Sequence, residues 1–132
     1  MPKVPKRYQT TIAVRPLETP DFESLLQLLY RGKKNLDLPE HAMKFLKNLR
    51  EKGEGGRFAR QDWDKYCREK NLSKTTYYTM INKLIGVGLI EPVEHDFYKL
   101  SNRSERFFSA IATSVSAFMA KKSQYTPTKE SE

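Results

Sequence analysis

Residues 72–91 carry the sequence LSKTTYYTMINKLIGVGLIE, which predicts a helix with a defined start and a defined end. Ser73 is a favourable N-cap, because its hydroxyl can accept a hydrogen bond from an unpaired backbone N–H of the first turn. Gly86 and Gly88 are favourable stops, because glycine adopts the left-handed backbone conformation without a Cβ penalty. The helix is therefore expected to begin at Ser73 and to end before Gly88.

This helix has two chemically different faces. Its apolar residues recur every three or four positions, which indicates one buried side; they are Tyr77, Met80, Ile81, Leu84 and Ile85. The opposite face is polar and positively charged, contains no carboxylate, and offers side chains that suit phosphates and base edges. It consists of Lys74, Thr75, Tyr78, Thr79, Asn82 and Lys83.

A shorter helix and a tight turn are predicted immediately before it. Residues 62–70 form this helix, whose apolar side carries Trp63, expected in the core, together with Tyr66 and Cys67. Asn71 suits the turn, because asparagine tolerates positive φ better than most residues. Cys67 is the only cysteine, so an internal disulfide is excluded, and we expect it to be a small core residue.

Two short strands are predicted after the helix, at residues 89–91 and 97–100. The order helix, turn, helix and β-hairpin, with Leu84 four residues before Gly88, resembles the winged helix-turn-helix superfamily over residues 36–100. The resemblance implies a mainly α fold with a small β-wing, which is an α+β architecture, and extra helices at both ends. It also implies that the protein binds DNA.

In domains of this superfamily the helix equivalent to residues 73–87 enters the major groove. Asn82 can pair bidentately with adenine, and threonines can bond phosphate or touch a thymine methyl. Lys44, Lys47 and Lys83 are expected to set the register through phosphate contacts. The expected DNA contacts are Lys74, Thr75, Thr76, Tyr78, Thr79, Asn82, Lys83, Lys44 and Lys47.

The charge distribution favours a polyanionic partner. The chain carries 24 basic and 16 acidic residues, a formal net charge of +8. Residues 31–83 hold fourteen of the basic and seven of the acidic residues, whereas residues 84–132 are balanced. Because the basic region includes the proposed reading helix, DNA is the expected partner and RNA the alternative. A solubilising role of the lysines is the plain alternative.

The segment before these elements contributes a helix and a small strand. Residues 39–52 predict the first core helix, whose inner face carries Ala42, Phe45, Leu46 and Leu49. Lys44 and Lys47 lie on its outer face, where simple solvation is the alternative to phosphate contact. After the glycine-rich break at 53–56, residues 57–59 are expected to form a strand beside the wing.

Residues 1–18 are predicted to form a basic arm followed by a strand. Residues 1–7 suit either an arm along DNA or a frayed terminus. Residues 8–17 alternate in the period-two pattern of a half-buried strand. Such a strand needs a partner, which would be the wing sheet, a helix or a second chain.

Residues 19–35 predict a strongly apolar helix and a basic connector. Thr19 is expected to cap this helix, with Pro20 and Asp21 in its first turn, and Gly32 to end it. So apolar a helix must be covered, either by the body of its own domain or across a dimer interface.

The predicted wing tip is acidic. The turn at residues 92–96 contains Glu94, His95 and Asp96, and carboxylates there would be repelled by phosphate. The wing is therefore expected either to stay off nucleic acid or to bind a protein partner. His95 beside two carboxylates is expected to be a plain turn residue, not a metal ligand.

Residues 101–122 predict a long C-terminal helix capped by Ser101 and Asn102, before a polar tail at 123–132 that is expected to be disordered. Four apolar residues in it are spaced three, four and three positions apart, as in the a/d pattern of a coiled coil. We call these four the seam: Phe108, Ile111, Val115 and Phe118. The seam is expected to form a homodimer; the alternative is that the helix folds back on its own domain.

The sequence predicts no catalytic site, metal or cofactor. His41 and His95 are the only histidines, and the glycine-rich residues 53–56 lack the lysine of a phosphate-binding loop. Neither a membrane span nor a secretory signal is predicted. We therefore expect a cytoplasmic protein, associated with the nucleoid if prokaryotic.

Two functional hypotheses follow. The first is a non-enzymatic, DNA-binding, dimeric winged-helix transcriptional regulator or chromatin-associated factor. The second is a winged-helix protein-interaction module, or an RNA-associated subunit of a transcription, replication or translation assembly, and the acidic wing favours it.

Overall fold

The computed structural model describes residues 19–32 and 37–124, with backbone alone for residues 121–124. Within these ranges the protein is mainly helical with one small antiparallel sheet, so the α+β class expected from the sequence is confirmed. In chain order the elements are α1 (Phe22–Leu29), α2 (Leu38–Glu51), β1 (Arg57–Ala59), a short 3₁₀ turn (Arg60–Asp62), α3 (Trp63–Lys70), α4 (Lys74–Gly86), β2 (Ile90–Val93), β3 (Phe97–Leu100) and α5 (Arg103–Gln124).

Helix α4 has the start and the end that its sequence predicts. The Ser73 hydroxyl accepts a hydrogen bond from the Thr76 N–H at 3.1 Å, which satisfies one backbone donor of the first turn. At the other end Gly88 has φ +82°, and Leu89 N–H donates to the Leu84 carbonyl at 3.0 Å. This is the Schellman arrangement that glycine permits after a helix.

The turn between α3 and α4 also follows the prediction. Asn71 has φ 59° and ends α3 in the left-handed conformation. Tyr66 and Cys67 are buried on the inner side of α3, so Cys67 is a core residue as expected. Trp63 was expected in the core as well, but it is half-buried at the domain surface, packed against the core from outside.

The three strands form a sheet in the order β1-β3-β2, with both neighbouring pairs antiparallel. Strand β1 lies beside the hairpin as predicted, with Phe58 opposite Tyr98. The hairpin turn is shorter than expected, because Pro92 belongs to β2 and pairs with Tyr98. Proline is tolerated there because β2 is an edge strand, where a missing N–H breaks no inner ladder bond.

The first helix is capped differently from the prediction. Asp21, not Thr19, is the N-cap of α1: its carboxylate accepts from Ser24 N–H at 2.9 Å, and the Ser24 hydroxyl accepts from Asp21 N–H. The helix ends at Leu29, earlier than Gly32. A reciprocal capping box satisfies two backbone donors, which explains why Asp21 outcompetes Thr19.

Helix α1 packs on α2, so its own domain covers part of its apolar side, while Phe22 and Leu28 stay exposed. Leu26 is fully buried, and Tyr30 donates its hydroxyl to the Met80 carbonyl of α4 at 2.7 Å. The sequence predicted that α1 packs either on the body of its own domain or across a dimer interface, and the described residues show the first.

The core lies between α2, α4 and the sheet. Four aromatic rings meet at its centre: three meet edge-on with ring centroids 5.1–5.6 Å apart, an arrangement that aromatic pairs prefer, and the fourth is tilted against Tyr66 at 5.8 Å. They are Phe45, Phe58, Tyr66 and Tyr77. Around them pack the apolar faces predicted for α2 and α4, which comprise Ala42, Phe45, Leu46 and Leu49, and Tyr77, Met80, Ile81 and Leu84; Ile85 is half-buried.

Helix α5 leaves the domain at one point. Ser104 N–H donates to the Gly88 carbonyl at 3.0 Å and Ser101 N–H donates to the Leu89 carbonyl at 2.9 Å. Beyond this junction every residue from Glu105 to Ala120 is exposed. The alternative in which α5 folds back is therefore wrong for the described part of the chain.

The expected arm and strand within residues 1–18 and the basic connector at residues 33–35 lie outside the described residues. The tail expected from residue 123 also lies outside them, except that α5 continues to Gln124. No helix in the described ranges is long and apolar enough to cross a membrane.

Candidate nucleic-acid interface

The candidate interface is the outer face of α4. It is presented outward because the buried stripe of α4 packs against α2, α3 and β2. Lys74, Thr75 and Asn82 are exposed, and Thr79 and Lys83 are half-buried. Helix α4 contains no acidic residue, so nothing on it opposes an anion.

Thr76 is engaged in the helix cap. Its Oγ1 accepts a hydrogen bond from the Ser73 hydroxyl at 2.9 Å, and the same Ser73 oxygen accepts from the Thr76 backbone N–H. The side chain is half-buried. Of the predicted contact residues, Thr76 is therefore the one whose hydroxyl already serves the structure of the helix.

An aromatic wall borders the amino end of α4. The Lys74 Nζ lies 4.8 Å from the centroid of the Trp63 ring, within the range of a cation–π interaction. Tyr78 packs between Trp63 and Tyr77, with centroid distances of 6.3 Å and 5.0 Å. This packing restrains the Lys74 side chain at the interface. Trp63 is therefore a residue that α3 contributes to the site.

Lys44 and Lys47 lie in a different neighbourhood from Lys74. Both line a crevice between α1 and α2 together with Glu23 and Gln27. The Lys44 ammonium lies 3.4 Å from the Glu40 carboxylate one turn earlier in α2. The lysines of α2 therefore flank α1, whereas the lysine at the start of α4 lies against α3.

The wing tip is less acidic in three dimensions than in sequence. The Arg57 guanidinium of β1 lies 3.4 Å from the Glu94 carboxylate. Arg60 donates from its guanidinium to the His95 carbonyl at 3.0 Å, and its backbone N–H donates to the Asp96 carbonyl at 2.8 Å. Two arginines thus flank the tip and offset part of its negative charge.

Both arginines are held over aromatic rings of β3. The Arg57 guanidinium lies 5.5 Å from the Phe97 centroid, and that of Arg60 lies 5.2 Å from the Tyr98 centroid. Neither arginine is among the contact residues predicted from the sequence. The signal was the predicted strand at residues 57–59, but only the pairing register of β1 with β3 brings Arg57, and Arg60 just after β1, to the wing.

The tyrosines behind the interface are structural. Burial raises the pKa of Tyr66 to about 12, and burial also raises the pKa of Tyr77. Both phenols are therefore neutral at physiological pH. Burial raises the pKa of the Cys67 thiol as well, so this cysteine has no reactive thiolate character. Nowhere in residues 19–32 and 37–124 do three His, Cys, Asp or Glu side chains gather as a metal site.

Comparisons with known proteins give a family and no individual relative. No curated protein and no solved structure matches the chain. The chain belongs to an archaeal family, whose model matches residues 19–119. The matched range begins before α1 and ends within α5, so it includes α1 and most of α5.

Proposed function

We propose that this member of the archaeal family is a non-enzymatic, winged helix-turn-helix DNA-binding protein that reads the major groove with α4. It would act as a transcriptional regulator or a chromatin-associated factor. In an archaeal cell such a protein would associate with the nucleoid.

The order of elements supports the winged-helix assignment. A helix, a short strand, two helices joined by a tight turn and a β-hairpin follow one another from α2 to β3. The small first strand pairs with the second strand of the hairpin, giving the order β1-β3-β2. A helix-turn-helix presents its second helix to the groove, and here that helix is α4.

The observation that carries the proposal is the outward face of α4. It combines two lysines, an asparagine and threonines on one side of a regular helix, with no carboxylate. A helix of this diameter fits the major groove, where base edges carry a distinct pattern of donors and acceptors. No other helix among the described residues is free of acidic side chains.

Residues along this face take different roles in the proposal. Asn82 reads an adenine through two hydrogen bonds, and Thr75 and Thr79 contact phosphate or a thymine methyl. Lys74 and Lys83 contact phosphates and so set the register without reading sequence. Tyr78 supports Lys74 through the shared packing on Trp63.

Further cations suit contacts to the flanking backbone. Arg57 and Arg60 lie beside the wing, each with its guanidinium packed over an aromatic ring. This packing reduces the side-chain conformational entropy that they lose when they bind a phosphate. Lys44 and Lys47 remain predicted phosphate contacts, reached from the side of α1.

The proposal is tested by measuring the affinity for duplex DNA. The Lys74→Ala/Asn82→Ala double variant should bind its preferred duplex at least about tenfold more weakly, because a bidentate base contact alone is worth about 1–3 kcal/mol. If Lys74 contacts a phosphate, the slope of log affinity against log salt should fall by about one. The preferred duplex comes from sequencing genomic fragments that the wild-type protein retains.

A matched control variant removes the same kinds of group, a positive charge and an amide, from positions outside α4. The Arg106→Ala/Asn48→Ala variant also loses one positive charge and one amide, both from exposed positions outside α4. It should bind within about twofold of the wild type. Equal weakening by both double variants, or salt-insensitive binding, would remove α4 as the reading element.

A crevice beside α1 favours the alternative of a protein-interaction module. Phe22, Leu89 and Leu100 line it together with Met43 and Leu46, and Lys47 and Arg50 stand at its edge. Apolar side chains with basic residues around them suit an acidic, apolar peptide. The alternative gains if the protein ignores DNA, and an RNA competitor that displaces DNA would indicate the RNA-associated form.

A further inference from the structure

The strongest unexplained surface is the apolar side of α5. The exposed fractions of the seam rise along the helix, from 39% at Phe108 and 49% at Ile111 to 56% at Val115 and 66% at Phe118. Phe107 and Met119 extend this surface and are also more than half exposed. A contiguous apolar surface of this kind on a basic, otherwise polar protein marks an interaction site.

The seam is symmetric when its direction is reversed. Its spacing is three, four, three in either direction, and its order is aromatic, β-branched, β-branched, aromatic both ways. In the heptad pattern Phe108 and Val115 take a positions and Ile111 and Phe118 take d positions. When two copies run antiparallel with residue 113 at the centre, each a residue of one copy lies level with a d residue of the other.

In this register like-sized side chains meet. Phe108 lies level with Phe118 of the second copy, and Ile111 with its Val115. Thr113 is at the centre but faces away from the seam. The neighbours of the seam at the centre are Ala112 and Ser114, which are small and allow two helices to approach closely. The reversal symmetry lets an antiparallel second copy of this chain match the seam in every layer, which favours that partner over an unrelated apolar one.

Charge favours the antiparallel over the parallel direction. Each copy carries a formal net charge of +8. Parallel helices would place Arg103 and Arg106 of both copies, and both domain bodies, side by side. Antiparallel helices separate the two bodies by about 30 Å along the axis, from twenty residues at 1.5 Å each. That is several times the screening length of about 8 Å at physiological salt.

The base of α5 offers a place for the end of the second helix. A crevice of about 410 Å³ opens there between α4 and α5, lined by Ile85, Val87, Arg103, Phe107 and Phe108. Phe118 of the second copy, level with Phe108, comes to the mouth of this crevice. The pairing thus uses both the protruding helix and the domain at its base.

We infer that the seam of α5 binds a second copy of this chain as an antiparallel two-helix pair centred on residue 113, with Phe118 of each copy at the base of the other. This inference concerns the assembly and does not depend on DNA binding. Its tests therefore use full-length protein without DNA.

The first test is the oligomeric state by sedimentation equilibrium. Wild-type protein should have twice the chain mass at micromolar concentration. Ile111→Asp should raise the dissociation constant of the dimer at least about tenfold, because a charge would be buried in the seam. Ser109→Asp adds the same charge on the opposite side of the helix and should leave the dimer intact.

The second test is the direction of the helices, by the distance between spin labels. Single-label variants Glu105→Cys and Thr113→Cys place one label near the base and one at the centre. Cys67 is buried, and wild-type protein serves as the control for its labelling. In the antiparallel pair the two labels at 105 lie about 24 Å apart along the axis, and those at 113 lie level. A parallel pair gives no axial separation at either position.

Each remaining outcome overturns the inference. A wild-type monomer at tens of micromolar would leave the seam to another partner. A dimer that Ile111→Asp does not weaken would place the interface elsewhere. Equal label distances at 105 and 113, corrected for their positions around the helix, would exclude the antiparallel direction. Circular dichroism of Ile111→Asp checks that the helix content is retained.

Discussion

Helices α1 and α5 flank the same domain and are both apolar in sequence, yet the domain covers part of α1 and leaves the apolar side of α5 exposed. Helix α1 lies on α2, buries Leu26 completely and is tied to α4 by the Tyr30 hydroxyl. Helix α5 is joined to the body through backbone hydrogen bonds at Ser101 and Ser104 and then extends outward with its seam exposed.

The difference shows that an amphipathic pattern does not identify the surface that will cover it. The pattern predicts a helix with one apolar side, and that part held for both ends of the chain. Which surface covers the apolar side of a flanking helix depends on the direction in which the chain leaves the domain. The 101–104 junction directs α5 away from the core, whereas α1 packs directly on α2.

The largest expected contrast comes from truncating one apolar residue on each helix. Leu26→Ala should cost about 2–5 kcal/mol of unfolding free energy, because it opens a cavity in a packed core. Ile111→Ala should change the stability of dilute, monomeric protein by no more than about 0.5 kcal/mol. Urea denaturation at two protein concentrations measures both. Equal losses at the lower concentration would show that α5 is covered within one chain.

The next contrast concerns the junction that directs α5. Gly88 has φ +82°, and a Cβ there would lie 2.9 Å from the Ser104 backbone nitrogen. Gly88→Ala should therefore cost about 1–3 kcal/mol. It should also speed hydrogen exchange of the Ser104 amide, which donates to the Gly88 carbonyl.

Gly86 provides the matched control two residues earlier. It is helical, and a Cβ there would meet nothing within 4 Å. Gly86→Ala should be neutral or stabilise by up to about 1 kcal/mol, since alanine loses less conformational entropy on folding. A loss as large as that of Gly88→Ala would contradict the role assigned to the left-handed turn.

A smaller effect is expected at the tie between α1 and α4. Tyr30→Phe removes a buried hydrogen bond of 2.7 Å to the Met80 carbonyl and should cost about 1 kcal/mol. Tyr66→Phe is the control, because the buried Tyr66 hydroxyl has no hydrogen-bond partner among the described residues. It should be neutral or slightly stabilising, and a similar loss in both variants would show that ring packing and not the hydrogen bond is affected.

The last expected effect is a pH dependence in alkaline solution. The pKa of Tyr66 is raised by burial to about 12, and burial also raises that of Tyr30. Above pH 10 the unfolded chain releases its phenolic protons while the folded core retains them, so the unfolding free energy should fall between about pH 10 and 12. Urea midpoints at pH 8, 10 and 11 measure the fall, and Tyr66→Phe should make it shallower.

Local sequence was enough for the elements with strong end signals. Ser73, Asn71 and Gly88 each act within one turn of the backbone, so α4 and the turn before it were predicted to within a residue. The strand at residues 57–59 and the hairpin were predicted in kind, although the inclusion of Pro92 in β2 was not. The cap of α1 was misassigned because Thr19 and Asp21 are both good caps, and the reciprocal bond with Ser24 decides between them.

Part of the candidate interface could likewise be predicted from the sequence, and part could not. The polar and basic side of α4 follows from a 3.6-residue repeat, so its members could be named from the sequence, and their role in DNA binding stays a prediction. The placement of Lys74 over Trp63 and of Arg57 and Arg60 beside the wing could not be predicted, since it joins residues distant along the chain.

By itself, the sequence determined the kind and order of the described helices and strands, the apolar stripe of each helix and the basic character of the central domain. These depend on interactions between residues a few positions apart, such as capping, glycine conformation and helical periodicity. Only the tertiary structure decided that α1 is partly covered, that α5 is exposed and that arginines offset the acidic wing tip. Those outcomes depend on how the chain turns between elements and which surfaces then meet, and no short stretch of residues encodes them.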